Sequence, residues 1–208
     1  MQQVKSSALG LRERKKQATQ LAIIKTAMDL FNSQGFQETS MEQIAEQSDV
    51  AKATLYKYFP VKEAIIAAHW QEELKNSQHE FLQIIDEHPD TRSRLEAGYA
   101  FIITRIMQSR ELYEIYISYR LQHISSPETN KTLRSGMAEN VAVIIAAGQK
   151  SGEIRTDIPL EILVSNLELL SVLQAMVWLR YPDQFSVDAT SKMFTALFLD
   201  GAVNHAAQ

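Results

Sequence analysis

Between Ala51 and Lys62 the chain sets Lys52, Thr54, Tyr56, Lys57, Tyr58 and Lys62 in one short stretch. These are three ammonium groups, one aliphatic hydroxyl and two phenols. Donors of these types meet phosphate oxygens and base edges. Ala51 and Ala53 are small enough to let a helix approach a groove, and Leu55 is apolar enough to hold that helix down. Upstream, Ser40 stands at the start of a second short helix, where a hydroxyl and free amides can receive an anion. Other chemistries find little support. His69, His79, His88, His123 and His205 include no i,i+4 pair and no Glu-flanked zinc motif. There is no Cys, no G-x-S-x-G and no glycine-rich phosphate loop. The expectation is a protein without catalysis, metal or cofactor.

The elements that must position these donors are helices. Leu21, Ile24, Met28 and Phe31 recur at steps of three and four, and Gly35 stands where such a helix ends. Thr39-Ser40-Met41-Glu42 is a helix start, with Ser40-x-x-Gln43 as an overlapping register; Glu42 reads as the capping-box acid. Ile44, Ala45, Val50 and Leu55 can lock this helix to the next, which runs from about Ala51 to Tyr58 and stops before Pro60. Ser48-Asp49 forms the break between them. This is a helix-turn-helix pattern. Beyond it, helices are expected over about 61–88, 92–108, 111–124, up to 150, 158–180 and 187–204, with a Pro127 turn after Ser125-Ser126. The fold class is all-α: a three-helix head over residues 1–62 with a flexible arm at 1–10, and a helical bundle over 63–208, about nine helices in total.

Charge divides along the same line. The whole chain carries −4, which taken alone argues against a partner made of phosphates. Residues 1–62 hold nine Lys+Arg against six Asp+Glu, and residues 63–208 hold 12 against 19, so a head of +3 is joined to a body of −7. Arg12, Arg14, Lys15 and Lys16 are either a solvated helix face or an arm that tracks phosphates and the minor groove. The apolar stretch Leu160 to Leu179 is interrupted by Glu161, Asn166, Glu168 and Gln174, so it reads as buried in protein, with no membrane partner. A cytoplasmic setting is expected.

Phe31-Asn32-Ser33-Gln34-Gly35-Phe36, Thr39 to Ala45 and Ala51 to Glu63, with Thr-Leu-Tyr-x-Tyr-Phe at its centre, resemble the N-terminal signature of the tetracycline-repressor (TetR) family. The resemblance covers about residues 12–70. It implies a homodimeric transcription regulator, usually a repressor, released from a palindromic double-stranded DNA operator by a small molecule in its second domain. Carried over by position, Lys52 and Lys57 face the groove and Thr54 contacts DNA. Tyr56, Tyr58 and Lys62 reach the phosphate backbone, and Ser40 is a phosphate candidate. Two positions depart from the pattern: Asp49 stands near where relatives carry glycine, and Ala51 where they often carry a capping Ser.

The body is matched in layout more than in sequence, through its helices and the Gly152-Glu153-Ile154-Arg155 turn. Its candidate effector contacts are Arg105, Tyr113, Tyr116, Tyr119, His123 and Trp178, an aromatic series with a few polar ends suited to a partly apolar ligand. An aromatic stripe at helical spacing is more often plain core. The helix ending at Arg180 is apolar nearly all round and needs two partners. Its second face, with Met193, Phe194, Leu197, Phe198 and Val203 of the last helix, is expected to form a homodimer bundle. The alternative is an effector-independent DNA-binding protein of the same fold whose body binds another protein; a fully packed core would favour it.

Overall fold

The computed structural model describes residues 10–123, 137–181, 184 and 186–202. Residues 1–9 of the expected arm, the Pro127 turn and Val203 lie outside them. Ten α-helices and no β-strand occur among the described residues: α1 (Leu11–Gln34), α2 (Met41–Gln47), α3 (Lys52–Tyr58), α4 (Lys62–Asn76), α5 (Gln78–Asp86), α6 (Thr91–Gln108), α7 (Arg110–Gln122), α8 (Met137–Ser151), α9 (Leu160–Arg180) and α10 (Val187–Ala202). The chain divides into two compact units, 1–69 and 70–208, with the boundary inside α4.

In the first unit Ile23, Ile24, Ala27, Met28, Leu30 and Phe31 of α1 are buried, together with Ile44, Leu55 and Phe59. Leu21, expected on this face, points outward. Gly35 ends α1 with φ of 92° while its N–H bonds the Phe31 carbonyl. That dihedral suits glycine because no Cβ meets the backbone.

The second unit departs from the expected layout in one place. The helix expected over 61–88 is broken at Ser77, which is buried and donates its hydroxyl to the Glu73 carbonyl at 2.6 Å. Neither Gly nor Pro marks the break; a side chain competing for a helical carbonyl makes it. α6 starts with a capping box, Ser93 N–H to Asp90 Oδ1 at 2.8 Å. Glu153 reaches the same end, accepting from the Thr91 amide at 2.7 Å and the Ser151 hydroxyl at 2.8 Å. The backbone amide of Thr91 is the main reason the Glu153 carboxyl sits below its ordinary range. Gly148 of α8 lets the turn in this close: a Cβ there would lie 2.6 Å from both Ile154 Cγ1 and Thr91 Oγ1.

α9 is long and apolar enough to cross a membrane by length and composition, with mean hydropathy 1.7 in its most apolar window. It packs instead against α7, α8 and α10. Leu163, Val164, Leu167, Val172, Ala175 and Trp178 face this core. Ile162, Leu169, Leu173, Met176 and Val177 face outward, and Met193 and Leu197 of α10 are exposed as well.

Candidate nucleic-acid interface and effector clefts

The helix-turn-helix is built from short-range signals. Ser40 caps α2: its Oγ accepts from the Gln43 amide at 3.1 Å, and Gln43 Oε1 accepts from the Ser40 amide at 2.8 Å. The box therefore uses the Ser40–Gln43 register, and the reading of Glu42 as the capping acid is corrected. Glu42 is solvent-facing in the first turn, with Lys52 Nζ 3.4 Å from its carboxylate. Its pKa is lowered first by the backbone amide at that helix start and then by Lys52. The turn into α3 passes through Asp49 at φ of 53°, the left-handed region that Asp tolerates better than most residues. Ala51 starts α3 with no side-chain cap, which typically forgoes about 1 kcal/mol.

α3 buries Leu55 and presents Lys52, Ala53, Tyr56 and Lys57 to solvent, with Thr54 and Tyr58 half-buried at its edges. Lys52 and Tyr56 are one turn apart, as are Ala53 and Lys57, so the four form one patch. The Ser40 hydroxyl is half-buried; having accepted the Gln43 amide, it keeps its own hydrogen to donate. Arg12, Arg14, Lys15 and Lys16 are exposed on α1, with Lys16 3.4 Å from Glu13.

Lys62 behaves differently from the other cations. Its Nζ donates to the Phe36 and Thr39 carbonyls at 2.7 Å each, lies 3.5 Å from the Gln37 carbonyl, and stands 4.3 Å from the Phe36 ring centroid. An ammonium has three N–H donors, so this loop uses its donor capacity. Lys62 thus ties down the α1–α2 loop that leads into Ser40. Lys62→Met is expected to lower unfolding stability by about 1–2 kcal/mol through loss of charged hydrogen bonds. It should weaken DNA binding without changing the slope of log affinity against log salt. Lys52→Met should reduce that slope, by about 0.9 for each phosphate that is no longer neutralised. Titration of both variants over a salt series checks this; a shallower slope for Lys62→Met would make Lys62 a direct phosphate ligand.

In the second unit two clefts lie on either side of Ile102. The first is walled by Phe81, Leu95, Gly98, Tyr99 and Phe194 among others, and Glu168 and Ser171 also line it. The second is lined by Trp70, Arg105, Tyr113, Tyr116 and Arg120 among others. Three of the expected effector residues, Arg105, Tyr113 and Tyr116, thus meet in one place. Tyr119 and His123 pair with each other, ring centroids 4.3 Å apart, and line neither cleft. Trp178 is core in α9 and lines neither. The first cleft has no signal in the sequence because Tyr99 and Phe194 look like ordinary core positions. Folding stacks their rings at 3.9 Å with an interplanar angle of 8°.

Burial raises the pKa of the Tyr99, Tyr113 and Tyr116 hydroxyls, so all three are neutral donors. Arg120 faces Tyr116 and pairs with Glu168 at 3.5 Å. Arg105 pairs with Glu80 at 2.6 Å and Glu73 at 3.9 Å, and lies 4.5 Å from the Phe101 ring centroid.

Residues 23–69, which contain the capped α2, the turn and the α3 patch, match the family model for bacterial regulatory proteins of the tetR family. The transcriptional repressor KstR2 of Rhodococcus jostii is 25% identical over 182 residues, covering 86% of this chain and 88% of its own. The head of this chain carries the tetR-family N-terminal domain. The transcriptional regulator RutR of Escherichia coli is 46% identical to this chain over 59 residues, 28% of each protein. The fold is shared with Thermus thermophilus FadR, a TetR-family transcriptional repressor solved in complex with lauroyl-CoA. The TM-score is 0.74 at 21% identity, covering 89% of this chain and 96% of FadR. Against these TetR-family relatives, the well-matched part is the head, and the body is matched chiefly in its fold.

Proposed function

We propose that this chain is a cytoplasmic homodimeric TetR-family repressor that binds a palindromic operator and releases it when a small, partly apolar molecule enters its second unit. The observation that carries the DNA-binding half is the α3 patch of Lys52, Tyr56 and Lys57 beside the capped start of α2. Ser40, Thr54 and Tyr58 flank it as backbone contacts, and Lys62 holds the loop that positions Ser40. A seven-residue helix reads only a few base pairs, so specificity needs two copies in successive major grooves. The outward apolar face of α9, continued by Met193 and Leu197 of α10, supports the second copy.

The clefts favour effector control over an effector-independent body. A body that only carried a protein partner would gain nothing from a buried hydroxyl left unpartnered beside an apolar cleft, as that of Tyr99 is. KstR2 is described as a repressor and FadR carries an acyl-CoA, which supports a repressor with an internal small-molecule site. The effector releases DNA by its differential affinity for the arrangement that does not bind. Selection of bound duplexes from a random pool by the full-length protein tests the reading. An inverted repeat with half-sites about one helical turn apart, roughly 10 bp, is expected. Enrichment of an unrepeated site, or of none, would overturn the dimeric operator reading.

A further inference from the structure

We propose that the two clefts flanking Ile102 form one site for an uncharged, largely apolar molecule carrying a single oxygen function, which bonds to the Tyr99 hydroxyl while Arg105 and Arg120 stay in their ion pairs. This rests on the effector reading above and adds the chemical class.

The walls set the apolar part. In the first cleft Phe81, Leu95, Val141, Ile144 and Phe194 present carbon, and Ser171 has its hydroxyl committed to the Glu168 carbonyl at 2.7 Å. The second cleft adds Trp70, whose ring meets Tyr113 edge-on at 5.0 Å. Flat or alicyclic carbon skeletons fill such surfaces.

The polar part follows from unfinished bonds: the Tyr116 hydroxyl and Arg105 Nε of the second cleft are buried without a partner, as is the Tyr99 hydroxyl of the first cleft. Tyr99 is 5% exposed, and its hydroxyl has no hydrogen-bond partner in the structure. A buried hydroxyl of this kind costs free energy until something bonds to it. It belongs to a polar focus, since Tyr99, Tyr116 and Arg120 all act on the ionisation of Tyr113. A ligand oxygen placed there would accept from Tyr99.

Charge disfavours an anion. Both cations lining the clefts already have carboxylates: Glu168 for Arg120, with side chains 15% and 12% exposed, and Glu80 with Glu73 for Arg105. A ligand carboxylate would approach Glu168 and Glu73 while each lining cation is already charge-paired. Burying a second anion beside a paired one is strongly unfavourable. A neutral hydroxyl or carbonyl avoids that cost.

Three probes of one shape separate the possibilities: naphthalene, 2-naphthol and 2-naphthoate, each titrated calorimetrically into the full-length protein, with lauroyl-CoA as a fourth. The expected order puts 2-naphthol first, with naphthalene about tenfold weaker, as one neutral hydrogen bond provides, and 2-naphthoate weaker still. Tyr99→Phe should remove the preference for 2-naphthol over naphthalene while leaving naphthalene binding unchanged. Tightest binding by 2-naphthoate, by lauroyl-CoA or by none of the four overturns the class, as does a Tyr99→Phe variant that keeps the preference. Release of operator DNA is read separately. If 2-naphthol binds as expected but releases no DNA, the effector reading fails and the ligand class stands.

Discussion

Leu173→Glu is expected to convert the proposed homodimer to a monomer and to remove operator binding. Leu173 is 50% exposed on the outward face of α9, where Leu169, Met176 and Val177 are exposed beside it. In a two-fold interface each substitution enters twice. Burying an unpaired carboxylate, or protonating it to avoid that, costs at least about 2–3 kcal/mol per copy, so the dimer should weaken by about 10³–10⁴-fold. The isolated fold has little reason to suffer, because a side chain already half in water contributes little to its packing. Sedimentation velocity reads the oligomer, circular dichroism reads the helices, and a gel shift reads DNA. Met107→Glu is the control: Met107 is 53% exposed on another helix, α6, and should leave all three readouts unchanged. A Leu173→Glu protein that sediments as a dimer would move the interface elsewhere.

Tyr56→Ala combined with Lys57→Met should lower operator affinity by about 10²–10⁴-fold without lowering the melting temperature. Tyr56 is 45% exposed and Lys57 is exposed, so neither contributes much to the packing that holds α3, which rests on Leu55 at 0% exposure. Each phosphate hydrogen bond contributes about 1 kcal/mol, and more when charged. Two residues on each of two protomers give four such bonds. The Lys57 change should also make the salt dependence shallower. Glu42→Gln in the same assay should act in the opposite direction. It removes an anion from the side proposed to face DNA and frees Lys52, which Glu42 now holds at 3.4 Å. Unchanged affinity in the Tyr56, Lys57 double variant would remove α3 as the recognition helix.

The fold of the head was legible because its determinants are local. The Ser40–Gln43 capping box spans one turn, the Asp49 turn depends on one dihedral, and Pro60 blocks continuation of α3 by its own ring. Leu55 and Phe59 could be told from Tyr56 by helical spacing alone. The all-α class and most helix boundaries in the body followed the same way. The break at Ser77 did not, because a serine hydroxyl either back-bonds or faces water according to its surroundings.

By itself the amino-acid sequence determined a helix-turn-helix with its donors in order, a basic head on an acidic body, and a long helix with too much apolar surface for one partner. These depend on residue type and on neighbours within a few positions. Tertiary structure decided what each polar end touches. It took Lys62 to carbonyls about 26 residues upstream. It brought Arg120 to Glu168, 48 residues away, and stacked Tyr99 on Phe194, leaving its hydroxyl unpartnered. It also placed Trp178, Tyr119 and His123 away from the clefts that their spacing had suggested. The reason is that helical periodicity fixes which side of a helix a residue lies on. What lies against that side is fixed only when other helices, distant in the chain, pack there.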